Sequence, residues 1–126
     1  MHPEKALFEA FIVPAKRRRY IELLDARGGR EKILCSLDHF KYLDLRFCRK
    51  VNAADALRVL KSFGAPAICH VISSNSELDG REMDLAEALT EIIGRDFGAF
   101  ISCIPGKLAY FESEEPGDRY ICYRER

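Results

Sequence analysis

The sequence predicts a single α+β domain, with a helical N-terminal half of about four helices packed on a small, mostly antiparallel sheet. Three observations lead there. Up to residue 63 the apolar residues recur at three- and four-residue intervals, the period of a helix face. Past Pro66 they gather in short runs bounded by turn residues, as strands do. Two tight turns, at Pro105-Gly106 and at Glu114 to Asp118, then force neighbouring strands to reverse direction. The chain has 126 residues, one domain's length, and nothing in it reads as a linker.

Leu7, Phe8, Phe11 and Ile12 form one helical face over Pro3 to about Phe11. Pro14 interrupts that helix, because proline has no amide hydrogen to give the preceding turn, and opens the next. The second helix carries Tyr20, Leu23 and Leu24 and stops at Gly28-Gly29. A third runs from about Arg30 to Phe40 with Ile33, Leu34, Leu37 and Phe40 inward. Lys41 to Val51 reads as a turn with one short helical piece. Asn52 is expected to cap a fourth helix carrying Leu57, Leu60 and Phe63, which Gly64 and Pro66 end.

Ala67 to Ser73 is almost continuously apolar and short, the pattern of a strand covered on both faces. A polar loop from Ser74 to Glu82 leads to Asp84, which with Glu87 has capping-box spacing at the start of a fifth helix. Gly94 ends that helix. Phe97 to Ile104, Lys107 to Glu112 and Arg119 to Arg124 complete a meander, giving the order strand, helix, strand, strand, strand. Its aromatic residues Phe97, Phe100, Tyr110, Phe111, Tyr120 and Tyr123 must divide between the two sheet faces. One face packs the helices; the other is covered either by the chain's own helices or by a second subunit.

No apolar run approaches the roughly 18 residues that span a bilayer, and the N-terminus lacks the apolar core of a signal peptide. A soluble, cytoplasmic protein with no membrane partner is expected. The five cysteines form no Cys-x-x-Cys pair and have apolar neighbours, so they read as reduced core thiols, with no metal site and no cofactor implied. Cys69 and His70 are adjacent on a strand and point to opposite faces, which prevents joint ligation. Pairing of Cys69 with His39, or of His70 with a cysteine of a neighbouring strand, is weighed against a satisfied core histidine, and the latter is preferred.

Net charge is zero, but unevenly spread. Residues 1–63 hold 14 Lys and Arg against 8 Asp and Glu, and residues 64–126 hold 6 against 12. The basic cluster Lys16, Arg17, Arg18 and Arg19 sits at a helix start, where the dipole disfavours cations by about 0.3–1 kcal/mol each. It therefore serves something outside its own helix. Either it is an anion site for a phosphate-bearing ligand, nucleic acid or acidic protein, or it meets the acidic second half of this chain or of a twin.

The loop over residues 73–82 offers Asp79 or Glu82 as a general base and Arg81 as an anchor for an anionic substrate. Asp79-Gly80 is equally an ordinary tight turn. No catalytic signature is present. The sequence thus reads as a small non-catalytic binding or regulatory module that self-associates as a homo-oligomer. The alternatives are phosphate or nucleic-acid binding through residues 16–19, and a small enzyme using the 73–82 loop.

Overall fold

A computed structural model describes residues 2–125. Three helices come first: α1 (Pro3–Phe11), α2 (Pro14–Asp25) and α3 (Gly29–Leu37). A short 3-10 turn over Leu45–Phe47 leads into β1 (Cys48–Lys50), and a second over Ala53–Asp55 leads into α4 (Ala56–Ser62). Then follow β2 (Ile68–Ser73), β3 (Glu82–Asp84), α5 (Leu85–Ile92), β4 (Ala99–Ile104), β5 (Leu108–Glu112) and β6 (Arg119–Tyr123). The six strands form one sheet in the order β1-β6-β5-β4-β2-β3, every pairing antiparallel. The fold is α+β with a helical N-terminal half.

Several local expectations hold for their stated reasons. Pro14 separates α1 from α2, and the Asp84 carboxylate accepts the Glu87 amide at 3.1 Å at the start of α5. Others need correction. The sheet, antiparallel throughout, gains the three-residue edge strands β1 and β3 from segments expected to be a turn and a loop end. Three residues are too few to show a period, and both are strands only through their pairing with β6 and β2. Asn52 precedes a 3-10 turn and its side chain caps nothing.

Strand alternation sends Ile72, Phe100, Ala109, Phe111 and Cys122 into a core with α1, α2 and α3. Cys69, Val71, Met83, Ile101, Leu108, Tyr110 and Ile121 enter the opposite core with α4 and α5. The chain's own helices therefore pack against both faces, with Phe97, Tyr120 and Tyr123 half-buried and Phe100, Tyr110 and Phe111 buried. Among the described residues no helix is long and apolar enough to cross a membrane.

The register places one transverse row beneath α1. Cys48 faces Cys122, which faces Ala109; Ala109 faces Ser102, Ser102 faces His70, and His70 faces Glu82. Directly opposed residues share a face. This row joins the thiols at one sheet edge to the charged residues at the other.

Candidate functional site

Two features gather the chemistry-bearing side chains, one at each end of that row. At the β3 end, Glu4 projects from the first turn of α1 with its side chain only 4% exposed. A buried carboxylate needs partners, and Arg30 at the start of α3 supplies a bidentate one, at 2.6 and 2.7 Å. The same guanidinium reaches Asp79 at 2.8 and 3.0 Å, and Asp79 also accepts the Ser73 amide at 3.1 Å. His70 completes the set, with Nε2 2.8 Å from Glu4 and Nδ1 2.7 Å from Glu82.

These contacts favour the charged forms of Glu4 and His70. Burial pushes the Glu4 carboxyl upward, but the hydrogen bonds and charges of Arg30 and His70 outweigh it and hold the group down at about 2. A carboxyl group beside each ring nitrogen favours the imidazolium form of His70, in which both nitrogens donate. Its pKa is accordingly raised, chiefly by the hydrogen bond to Glu4, against the opposing effect of burial. An imidazolium held on both sides has no lone pair with which to accept a proton.

The expected catalytic residues thus fall unevenly. Asp79 is half-buried and engaged by Arg30 and the Ser73 amide, Glu82 is exposed on β3 and accepts from His70, and Arg81 is exposed. Cys69 lies in the opposite core from His70, its thiol pushed up to about 12 by burial, and donates to the Met83 carbonyl. His39 lies beside Glu114, 3.2 Å away, and Ser102 is the residue opposite His70 on the neighbouring strand, so neither Cys-His pairing forms. Among the described residues no group of three or more His, Cys, Asp and Glu side chains is placed to hold a metal.

The second feature is an open groove of about 800 Å³ at the far end of α1. Ala6, Ala10, Phe47 and Ile104 supply its apolar lining; Arg17, Lys107 and Arg124 bring cations, while Glu9 and Glu125 bring carboxylates. Arg17 donates to the Ile12 carbonyl at 3.2 and 3.0 Å, and Arg124 to the Ala10 carbonyl at 3.0 Å. The end of α1 has orphan carbonyls and partial negative charge, so both cations are favoured there. Arg17 is misplaced for its own helix but well placed for the preceding one.

The rest of the basic cluster disperses. Lys16 lies over the Tyr42 ring at 5.1 Å, Arg18 pairs with Glu22 at 3.0 Å, and Arg19 is exposed. Arg17 is also 3.8 Å from Asp44, a carboxyl held low chiefly by its hydrogen bond from Arg46. Among the described residues the ion pairs of the cluster are with carboxylates before residue 63, Asp44 and Glu22. Ionic contact between the halves runs through Arg30 to Asp79 and through His70 to Glu4. No protein-family model, curated protein or solved structure matches this chain.

Proposed function

We propose that the chain is a non-catalytic binding module that takes a phosphate-bearing ligand in the groove between α1, the β4–β5 turn and the segment after β6. The observation that carries this is the convergence of Arg17, Lys107 and Arg124 on one apolar-lined concavity. Arg124 spends one nitrogen on Ala10, so much of its donor fork stays available, and a guanidinium fork matches phosphate oxygens. Nucleic acid is the less favoured occupant, since the lining aromatic, Phe47, is already covered by Arg124 at 3.8 Å. The non-catalytic part rests on the interlocked state of His70 and Asp79.

Titration of the isotope-labelled protein with inorganic pyrophosphate, followed by NMR, tests this reading. Saturating shifts are expected at Gly106, Lys107 and the Arg17 and Arg124 side chains. Lys107→Ala should weaken binding about 10-fold, the loss of one charge-assisted contact. Shifts that scatter over the surface and never saturate would sink the proposal.

A second reading, self-association, draws support from the sheet edges. The β1 edge presents exposed Arg49 and Lys50, and the β3 edge presents exposed Glu82 and Asp84. One copy's basic edge is thus complementary to another's acidic edge. Sedimentation at micromolar concentration should give a mass above one chain at low salt, falling toward one chain as salt screens the edges. A single-chain mass at every ionic strength defeats it.

A further inference from the structure

We propose that Cys48 and Cys122 form a reversible oxidation site, in which hydrogen peroxide converts a cross-strand thiol pair into a disulfide that staples the β1 edge to β6. The two cysteines are register partners in the antiparallel β1–β6 pair, and their sulfurs lie 3.0 Å apart. Opposed residues of an antiparallel pair hold their Cα atoms roughly 4.5–5.5 Å apart, within the span that a disulfide bridges. The bond therefore needs side-chain rotation, with no change in strand register.

The two thiols differ in access. Cys48 is half-buried at the start of an edge strand, flanked in sequence by Arg46, Arg49 and Lys50, whereas Cys122 is fully buried. Cys48 is thus the sulfur that a small oxidant reaches. Its lone pair attacks one peroxide oxygen, the O–O bond breaks, and a water leaves once the thiol proton has passed to the departing oxygen. This gives a sulfenic acid. The Cys122 sulfur then attacks the Cys48 sulfur, the S–O bond breaks, and a second water departs with the Cys122 proton. Two thiols and one peroxide become one disulfide and two waters, and a dithiol reductant reverses the change.

The other cysteines lack this combination. Cys69 and Cys103 are both buried in the opposite core, so neither offers a sulfur that an oxidant reaches as Cys48 does. Cys35 is exposed on α3. It reacts with peroxide without forming an internal bridge, and a Cys35→Ser background removes its contribution.

The experiment treats Cys35→Ser protein with hydrogen peroxide, then combines intact mass, non-reducing peptide mapping and thermal melting. The expected product is lighter by two hydrogens and joins the peptides holding Cys48 and Cys122. Closing so long a loop should raise Tm by about 10 °C, reversed by dithiothreitol. Cys48→Ser should abolish both effects. Peptide mapping of the unsubstituted protein, with Cys35 alkylated first, gives the same answer should a variant fold poorly. Oxidation of Cys48 to a sulfinic acid while Cys122 remains alkylatable, or a bridge joining a different pair, overturns the proposal.

Discussion

Gly98→Ala is expected to cost about 3 kcal/mol or more, a large share of the 5–15 kcal/mol that holds an ordinary domain together. Gly98 precedes β4 and runs against the end of α3. A Cβ placed there would lie 2.2 Å from the Leu37 carbonyl carbon and oxygen and 2.7 Å from the Asp38 nitrogen. All three are backbone atoms, which cannot rotate aside as a side chain would. Making room means moving the helix end away from the strand. That movement breaks what the close approach allows: the Gly98 amide bound to the Asp38 carboxylate at 2.7 Å, and its carbonyl accepting from the Ser73 hydroxyl at 3.1 Å and the Ser74 amide at 3.2 Å. Urea unfolding followed by circular dichroism measures the loss. A cost below about 1 kcal/mol would show that the missing side chain does not set the helix–strand distance.

Arg30→Ala should cost nearly as much, about 2–3 kcal/mol, for an electrostatic reason. Full loss of partners from a buried charge costs about 3–5 kcal/mol; the loss here is smaller because His70 stays beside Glu4 and the Arg30 side chain is itself 38% exposed. Arg30→Lys should recover little, since an ammonium cannot hold Glu4 and Asp79 with two forks. Glu4→Leu combined with Arg30→Ala should recover part of the loss by removing the carboxylate that has lost its bidentate partner. A double variant no more stable than Arg30→Ala would refute that explanation.

The same contacts set a pH profile. Glu4 is depressed from its ordinary 4.5 to about 2, so its contribution is complete above 4.5 and is lost as pH falls toward 2. His70 is raised above 6.5, so its contribution is complete below 6.5 and is lost as pH rises through the folded-state value. Stability should therefore peak between about pH 4.5 and 6.5. Arg30→Ala should blunt the acid limb, and His70→Gln should flatten the alkaline one. A native Tm unchanged from pH 6 to 9 would contradict the His70 assignment.

Most elements were legible in the sequence because their signals are local. Pro14, Asp84 with Glu87, and Pro105-Gly106 each act within a few residues and mark boundaries without reference to the rest of the chain. β1 and β3 were not legible, since neither exists as a strand apart from its partner. Among site residues, Asp79, Glu82 and the basic cluster stood out by type, but their states did not. Whether Asp79 is free or engaged depends on Arg30, 49 positions earlier, and the role of Arg17 depends on a carbonyl at the end of the preceding helix. Glu4 carried no signal at all beyond being acidic in a first helical turn. The Cys48–Cys122 pair spans 74 positions and emerges only from the strand order.

The fastening of α1 bears on how the chain is made. Its start is tied to Arg30 and His70, its end to Arg124, and Phe8 and Phe11 lie beneath it with Phe100 and Phe111. α1 leaves the ribosome before the other elements it packs against, and Arg124, which binds its last turn, lies 114 positions after Ala10. At roughly 5–20 residues per second, its apolar side waits on the order of 6–23 s for the elements that cover it. During that interval a nascent chain carries a greasy amphipathic segment with nowhere native to go, the sort of surface that chaperones hold until its partners emerge.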